Sequence, residues 1–383
     1  MFMISGVNTN YEVKEMIYMD TAASTMPSDA VIKCLKDNVE IYGNPSSIHD
    51  EGEKAHKLIT NATDKISHIL NCCRNEIYYT SGATMSNNLF IQGFLRAHKD
   101  AKLVISQIEH NDIIELSDYI DRQKGLKTVY RLPVDFNGFV NINCLEELLD
   151  QLDGDCVLVC IQGANGECGS IQDIDQISKI VHSHNDMYLF SDMTQYIPYY
   201  DIDVRQINLD GMSMSGQKIH CIKGTGLLYI KNGLQIDPLI FGEQGLIGGT
   251  ENVLGIACLG TAFENINHNH KQLIEKRDYF IDSLLEKTDA QLVGGRNNRL
   301  PNNIYVKGSY SAESLVVLLS EFNICSSAGS ACSSNGNKPS HVLLAMGYSE
   351  EDARKCIRFT IDNNTTYEDI DYTVDAFQKL SSI

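Results

Sequence analysis

A lysine, a carboxylate and a glycine-containing turn each follow a short apolar run in this sequence. Lys218 comes after "GMSMS", Asp192 comes after "MYLFS", and the turn "TSGATMSNN" (80–88) comes after "EIYY". An unpaired carboxylate at the end of an apolar strand is costly, so Asp192 is expected to face a cation. Pyridoxal phosphate needs a Schiff-base lysine, a carboxylate against its pyridinium nitrogen, and a phosphate cradle. The order and spacing of these features predict a pyridoxal phosphate site.

Other polar residues stand at the ends of apolar runs in the same way. Backbone N–H groups of Ala83 and Thr84, with the Thr84 hydroxyl, would suit a phosphate at the start of a helix. An ordinary helix N-cap would explain that turn equally well if it stood alone. His110 follows "KLVIS", Gln195 lies just beyond Asp192, and Ser215 ends the run before Lys218. An isolated histidine is more often structural than catalytic, so His110 is a candidate only because other candidate residues follow neighbouring strands.

Cys332 lies in "SSAGSACSSNGNKPSHV" (326–342), which has almost no apolar side chain that could bury a thiol. Free cysteines usually behave as small buried hydrophobic residues. The position is therefore either incidental or presents a thiol that can move and be reached. Twelve cysteines without a C-x-x-C pair predict reduced thiols and no metal site. A redox role for Cys325 stays open.

The composition limits the classes of protein to which this chain can belong. The chain has 383 residues, 43% of them hydrophobic and 21% charged, which is ordinary for a globular protein of two domains. The start, "MFMISGVNTN", has no basic region followed by an apolar stretch, and no run approaches the length of a membrane span. We therefore expect a cytoplasmic protein without membrane contact. The net charge of −19 argues against direct nucleic-acid binding.

Apolar runs alternate with segments of helical periodicity over the first two thirds of the chain. The predicted strands include "KLVIS" (102–106), "CVLVCI" (156–161), "MYLFS" (187–191) and "GLLYI" (226–230), and the predicted helices include 50–71 and 171–184. This alternation favours an α/β fold with a mostly parallel sheet covered on both faces. After about residue 256 the pattern changes to a long polar helix over 257–288 and then to a smaller α+β domain.

The sequence resembles the cysteine desulfurases, which are fold-type I pyridoxal phosphate enzymes of the class V aminotransferase group. The resemblance covers nearly the whole chain. The stretches that carry it are "MDTAAST" (19–25), "YGNPSSIH" (42–49), "TSGATMSNN" (80–88), "EH" (109–110), "DMTQ" (192–195), "SGQK" (215–218), "GTEN" (249–252), "SSAGSACSS" (326–334), "PSHVL" (339–343) and "CIRFT" (356–360).

The resemblance implies a large domain with a mostly parallel seven-stranded sheet between helices, and a smaller α+β C-terminal domain. The large pyridoxal phosphate-binding domain would span 19–256. The small domain would comprise 1–18 and 257–383, and would carry the catalytic cysteine on a loop at about 325–340.

The resemblance also implies a role for each site residue. Lys218, Cys332 and His110 would be catalytic, with Lys218 as the Schiff-base lysine, His110 stacked on the ring as proton shuttle, and Cys332 as mobile nucleophile. Arg358 would bind the substrate carboxylate, a bidentate task that suits guanidinium, with Ala22 beside the substrate. The cofactor-binding residues would be Ala83, Thr84, His110, Asn165, Asp192, Gln195, Ser215, Gln217, Lys218 and, from the other subunit of a homodimer, Thr250.

The implied reaction converts L-cysteine to L-alanine. Cys332, as thiolate, would take the substrate sulfur as a persulfide and carry it to an acceptor protein. That acceptor would be an iron–sulfur cluster scaffold, a tRNA- or cofactor-thiolation enzyme, or another sulfur carrier. The sequence does not distinguish among them.

Four positions depart from the family pattern. Gln217 replaces a histidine that helps hold the phosphate, and can still donate a neutral hydrogen bond. Gly166, in "NGECG" (165–169), replaces an asparagine that approaches the cofactor, a task that Asn165 or a water could take over. Thr21 replaces an asparagine, and Ile247 stands where an arginine is frequent. These changes suggest a divergent enzyme with altered cofactor affinity or rate.

Two alternatives remain open. Selenocysteine lyase or cysteine sulfinate desulfinase chemistry on the same frame would depend less on a nucleophilic thiol, so the stretch "GSACSS" favours sulfur transfer from cysteine. A degenerate member that binds a partner without turnover would explain the changes at 166, 217 and 247. The presence of both Lys218 and Cys332 argues against it, since a binding module needs neither.

Overall fold

The structure is a computed structural model that describes residues 15–124, 128–242, 245–329 and 338–381; Cys332 lies outside them. The described strands, in chain order, are β1 (Ile17–Tyr18), β2 (Ile77–Thr80), β3 (Lys102–Ser106), β4 (Val129–Leu132), β5 (Val157–Cys160), β6 (Met187–Asp192), β7 (Gly211–Ser215), β8 (Gly226–Ile230), β9 (Gln291–Leu292), β10 (Asn303–Lys307), β11 (Ile324–Cys325) and β12 (Cys356–Thr360). The described helices are α1 (Asp29–Asn38), α2 (Asp50–Leu70), α3 (Ala83–Ala97), α4 (Asn111–Lys124), α5 (Ile142–Gln151), α6 (Ile174–Val181), α7 (Val204–Ile207), α8 (Val253–Glu264), α9 (Lys271–Lys287), α10 (Ala312–Ser320), α11 (His341–Ala345), α12 (Glu350–Ala353) and α13 (Tyr367–Ser381).

Seven of the described strands form one sheet in the order β2-β8-β7-β6-β5-β3-β4. β8 runs antiparallel to both of its neighbours, and the other adjacent strands are parallel. The predicted α/β fold with a mostly parallel seven-stranded sheet is confirmed. The four runs predicted as strands correspond to β3, β5, β6 and β8, and the predicted helices at 50–71 and 171–184 correspond to α2 and α6.

Both faces of this sheet are buried. Side chains alternate along each strand, so each strand contributes to a core on either face. On β3, Val104 joins a core with α2, α5, α6 and α8, whereas Leu103 and Ile105 join a second core with α3 and α4 on the opposite face. Helices on both faces explain why these strands are apolar throughout. None of the helices in the described part of the chain combines the length and apolar character that crossing a membrane requires.

A separate core forms around the remaining strands. β12, β10 and β9 make an antiparallel sheet, and β1 pairs in parallel with β11. Phe280 of α9, Phe359 of β12 and Phe377 of α13 are fully buried in this core. The division into two domains stays a prediction, and its boundary at 256 falls within α8, which contributes to the core of the large sheet.

The single helix predicted over 257–288 is wrong. α8 ends at Glu264 and α9 begins at Lys271. The break falls on "NINHNH" (265–270), whose asparagines and histidines have low helix propensity. Asn side chains also form local hydrogen bonds that compete with the helix: the Asn267 oxygen accepts from the Asn269 backbone N–H at 2.9 Å.

Helix α3 lies very close to the strand that leads to Lys218. A Cβ atom built on Gly211, the first residue of β7, would come within 2.1 Å of the Phe90 ring of α3. Phe90 is fully buried and stacks on Phe190 of β6, with ring centroids 4.4 Å apart. A glycine at 211 therefore lets α3 pack against β6 and β7.

Gly211→Ala is expected to lower the free energy of unfolding by about 1–3 kcal/mol, because overpacking a dense core forces side chains out of their rotamers. Urea unfolding followed by circular dichroism measures this change. Gly308→Ala is the matched control, since a Cβ there meets only side-chain atoms, the nearest at 3.3 Å. An unfolding midpoint for Gly211→Ala equal to that of the control would contradict the expectation.

Candidate active site

The carboxyl ends of the parallel strands bring the predicted residues to one edge of the sheet, where α/β proteins bind ligands. Asp192 and Ser215 are the last residues of β6 and β7, and His110 follows β3. Lys218 ends a 3₁₀ turn, Gly216–Lys218, that continues directly from β7. β8 is antiparallel, so it contributes its first residues to the same edge.

The residues predicted to hold a phosphate lie at the N-terminus of α3. The helix begins at Ala83, whose backbone N–H donates to the Ser215 hydroxyl oxygen at 2.8 Å. The N-cap residue is Gly82, which has no side chain and therefore makes no cap hydrogen bond to the first turn of the helix. Thr84 is exposed in the first turn. A helix N-terminus with two hydroxyl groups beside it is a suitable environment for a phosphate.

Gly226 allows this cradle to form. It pairs with Ser215 across β7 and β8, and a Cβ atom built on it would come within 2.5 Å of the Gly82 Cα. The neighbouring atoms are backbone, so they cannot swing aside as a side chain would. The absence of a side chain at 226 therefore sets the distance between the α3 N-terminus and Ser215.

Lys218 and Gln195 meet at the backbone of the "MDTAAST" segment. The Lys218 Nζ donates to the carbonyl oxygens of Ala22 at 2.5 Å and Ala23 at 2.7 Å, and the Gln195 Nε2 donates to Ala22 at 3.0 Å. Ala22 is itself buried and its N–H donates to the Thr360 hydroxyl at 2.9 Å. These carbonyl groups hold the lysine amine in the site.

Asp192 belongs to a buried hydrogen-bond network. It is 7% exposed and accepts from the Thr194 backbone N–H at 2.9 Å and from the Asn87 amide at 3.1 Å. The same Asn87 amide nitrogen donates to Asp112 at 3.1 Å, and the fully buried Ser213 hydroxyl donates to the Asn87 oxygen. Within the described residues Asp192 forms no ion pair, so the cation predicted to lie beside it is not among the protein groups that the structure describes.

Asp112 connects this network to His110. The His110 Nδ1 lies 2.7 Å from an Asp112 oxygen, and the Asp112 side chain is 8% exposed whereas that of His110 is half exposed. Burial acts to raise the pKa of the Asp112 carboxyl, but hydrogen bonds from His110, Asn87 and Thr84 outweigh it and the pKa is lowered. Asp112 is therefore ionised at neutral pH.

Glu109 is a second buried carboxyl group, next to His110 in the chain. Its side chain has no exposure, and burial raises its pKa to about 8 even though the Gln162 N–H and Ser106 donate to it. The charges of Asp192 and Asp112 act in the same direction. The site therefore places neutral and ionised carboxyl groups side by side at neutral pH.

Arg358 lies almost fully buried on β12, on the other side of the "MDTAAST" segment. Its Nη2 pairs with Asp20 at 3.0 Å and its Nη1 donates to the Gly166 carbonyl oxygen at 2.9 Å. The Nε of Arg358 is buried without a hydrogen-bond partner. An orphaned guanidinium N–H beside an anchored Nη2 is suited to a carboxylate ligand.

Three other predicted residues are placed differently. The side chain of Asn165 donates to the Ile108 carbonyl at 3.0 Å, and its oxygen accepts from Cys168 at 2.9 Å, so it stabilises its own turn. Gln217 accepts hydrogen bonds from Thr25 through its backbone carbonyl. Thr250 is exposed and lines a cavity of about 420 Å³ between residues 77–81 and 247–252, which Gly226 also lines.

The structure shows which groups surround three of the positions that depart from the family pattern. A Cβ atom on Gly166 would come within 2.8 Å of the Gln195 Nε2, so glycine here makes room for Gln195. Thr21 is buried and donates to the Ile361 carbonyl at 3.2 Å. Ile247 forms a backbone bridge with Ile240 and lines the cavity beside Thr250.

Sequence reasoning missed Asp20, Asn87 and Asp112. Asp20 and Asn87 lie inside the quoted stretches "MDTAAST" and "TSGATMSNN", and Asp112 is two residues after His110. An acidic residue that close to a candidate histidine was a usable signal. The other two required the fold, since Asp20 contacts a residue 338 positions away.

These residues fit pyridoxal phosphate. The α3 N-terminus with Ser215 could hold its phosphate, Asp192 could face its ring nitrogen, and Lys218 could form the Schiff base. The fit rests on two features of this chain. Asp192 is a buried carboxyl group whose hydrogen-bond donors are neutral, and the Lys218 amine is held by two backbone carbonyl groups.

Comparison with known proteins gives a consistent result. The family model described as aminotransferase class-V matches residues 17–373. The cysteine desulfurase IscS of Dictyoglomus turgidum is 37% identical over 380 residues, which cover 96% of this chain and 95% of that protein. A solved structure of a NifS-like protein has a TM-score of 0.87 at 30% identity and covers 96% of this chain and 99% of its own. The structure "SspA in complex with cysteine" has a TM-score of 0.79 at 31% identity over 90% of this chain and 98% of that one.

Gly226→Ala is expected to weaken binding of pyridoxal phosphate about 10- to 100-fold, because a Cβ there displaces the α3 N-terminus from Ser215 and with it charge-assisted hydrogen bonds. Loss of the cofactor during dialysis, followed by absorbance, measures this. Gly211→Ala is the control, since it strains the same helix at Phe90, about two turns beyond the cradle. Equal cofactor affinity in the two variants would contradict the role of Gly226.

Proposed function

This chain belongs to the class-V aminotransferase family and, within it, to the cysteine desulfurases, and on that premise we propose that it converts L-cysteine to L-alanine with pyridoxal phosphate and holds the sulfur as a persulfide on Cys332. The observation that carries the proposal is that Lys218, Asp192 and the α3 N-terminus lie at one edge of the seven-stranded sheet, while Arg358 of β12 is held beside the same chain segment through Asp20. Similarity over nearly the full length of the desulfurases supports the reaction.

The cofactor, when bound, would supply an electron sink for the substrate carbon atoms. The residues of this chain would bind and orient it. Asp192, which is buried, would lie against the ring nitrogen and would keep that nitrogen protonated. Ser215 and the first N–H groups of α3 would hold the phosphate, and Gln195 would turn from the Ala22 carbonyl to the ring oxygen.

Arg358 would bind the substrate carboxylate through Nε and Nη2, two N–H groups on one edge of the guanidinium. Asp20 and the Gly166 carbonyl hold the guanidinium from its other side. This would place the substrate across the Ala22 backbone from Arg358 to Lys218. His110 would move the proton between the substrate carbon and solvent.

Cys332 would act as the nucleophile. Its thiolate would attack the sulfur of bound cysteine, forming the S–S bond as the Cβ–S bond breaks. The electron pair of that bond stays with the carbon skeleton, which leaves as L-alanine after protonation. The persulfide would then pass to an acceptor, for which an iron–sulfur scaffold or a thiolation enzyme is the chemical expectation.

The homodimer and the cytoplasmic location remain part of the proposal. Large apolar side chains are exposed in the segment around α1, among them Met26 at 76%, Tyr42 at 83% and Ile48 at 104%. Exposed apolar surface of this kind commonly marks a protein interface. A second copy covering it would be consistent with Thr250 serving the partner's phosphate site.

Turnover of L-cysteine tests the proposal. In a single turnover without added thiol, the holoenzyme is expected to form L-alanine and enzyme persulfide in equal amounts. Cys332→Ala should retain the visible absorbance of the cofactor while losing at least about 100-fold in alanine formation, because the nucleophile is absent. Alanine by amino-acid analysis and persulfide by alkylation and mass spectrometry measure both products.

Cys325→Ala is the matched control. Burial, and secondly the charge of Asp20, raise the pKa of the Cys325 thiol, which disfavours its thiolate. Its substitution is expected to leave alanine formation near that of the unsubstituted enzyme. Undiminished alanine formation by Cys332→Ala would overturn the persulfide mechanism and favour selenocysteine or cysteine sulfinate as substrate.

Arg358→Lys is expected to raise KM for L-cysteine about 10- to 100-fold, because an ammonium group cannot provide two parallel N–H donors to a carboxylate. Steady-state kinetics with L-cysteine measure KM and kcat separately. Arg296→Lys, on the surface, is the control and should not change either value. If KM for Arg358→Lys rose no more than KM for Arg296→Lys, another residue would have to bind the carboxylate.

A further inference from the structure

The contact between His110 and Asp112 makes a pair that the reaction outlined above leaves unexplained. Asp112 lies in the first turn of α4, and one of its oxygens is 2.7 Å from the His110 Nδ1. That oxygen also accepts from the Ile113 backbone N–H at 2.8 Å. The carboxylate is therefore fixed in position by the helix that follows His110.

The charge of Asp112 determines where His110 carries its proton. Three donors, His110, Asn87 and Thr84, keep the pKa of this buried carboxyl below its usual value despite burial. An ionised carboxylate has no proton to give, so it can only accept a hydrogen bond. The His110 Nδ1 must then be the donor, and the neutral imidazole has its lone pair on Nε2.

A second contact to the same nitrogen does not change this result. The Asp112 backbone N–H lies 3.4 Å from the His110 Nδ1 and could donate to a lone pair there. That arrangement would direct the lone pair at a carboxylate oxygen 2.7 Å away, which is repulsive. The shorter, charge-assisted contact determines the tautomer.

Asn87 extends the pair to the cofactor-facing carboxylate. Its single amide nitrogen donates to Asp112 and to Asp192, at 3.1 Å in each case. Asn87 is fully buried, and the Ser213 hydroxyl fixes its oxygen. The carboxylates beside the histidine and beside the ring nitrogen are therefore positioned by one side chain.

From this geometry we infer that Asp112 is a positioning residue that keeps the proton of neutral His110 on Nδ1 and its basic lone pair on Nε2. The inference rests on the proposed function, in which His110 transfers a proton. A carboxylate on Nδ1 also stabilises the imidazolium that forms when Nε2 accepts a proton. Proton transfer through His110 would then take place at Nε2.

Nitrogen NMR of the holoenzyme with ¹⁵N-labelled histidine tests the inference directly. His110 is assigned by comparison with His110→Gln, and spectra are recorded at pH 8 without substrate. The expected result is a protonated Nδ1 in the unsubstituted enzyme and a loss of that protonation in Asp112→Ala. An unprotonated Nδ1 in the unsubstituted enzyme, or an unchanged signal in the variant, would overturn it.

Kinetics provide a second readout. Asp112→Asn keeps the shape but has one acceptor oxygen in place of two, and His110 and Asn87 contact different oxygens of Asp112, so one of them loses its acceptor. The expected result is a fall of about 10- to 100-fold in kcat, with KM for L-cysteine little changed. A rise in KM alone, or unchanged kcat, would contradict a positioning role.

Asp150→Asn is the matched control, because Asp150 pairs with His184 at 3.1 Å through an exposed carboxylate that is not part of the network around His110. It should change neither the His110 signals nor kcat. The two proposals fail separately. Absence of cysteine turnover by the unsubstituted enzyme would contradict the proposed function, whereas the NMR result bears on Asp112 alone.

Discussion

The segment from Asp20 to Ala23 joins the two halves of the site. Its carbonyl groups accept from Lys218, and its carboxylate pairs with Arg358. The segment is itself held to β12 by Thr360, whose hydroxyl accepts from Ala22 and whose backbone pairs beside Asp20. Lys218, which follows the seven-stranded sheet, and Arg358, which belongs to the three-stranded sheet, thus both bind the same four-residue segment. This constraint sets the span that a substrate with an amine at one end and a carboxylate at the other would occupy.

Charge in the site is organised by burial and by the number of donors around each carboxyl group. Glu109 is fully buried with few donors, and its pKa rises to about 8, whereas Asp112 gathers donors from three residues and its pKa falls. Asp192 accepts hydrogen bonds from two neutral donors, the Asn87 amide and the Thr194 backbone N–H. Neighbouring carboxyl groups thus differ in protonation although they share one environment, which is a common way for an active site to separate its acid and base functions.

Glycines determine how closely the elements of the site approach each other. Gly226 lets the α3 N-terminus lie over Ser215, and Gly166 gives Gln195 room beside the Arg358 contact. At both positions an added methyl group would meet the neighbour at less than 3.0 Å. At 166 the Gln195 side chain occupies the volume that a larger side chain would need.

The sequence by itself determined the alternation of strands and helices, the position of polar residues at strand ends, and the start of α3, because these depend on periodicity and on short-range turn chemistry. The same local signals failed at 257–288, where helical periodicity continues across a break between α8 and α9. Tertiary structure alone decided the pairing of Asp20 with Arg358, 338 residues apart, and the convergence of His110, Asp112, Asn87 and Asp192. Such contacts depend on strand order and on side-chain orientation across separate elements, and no local pattern in the chain specifies either.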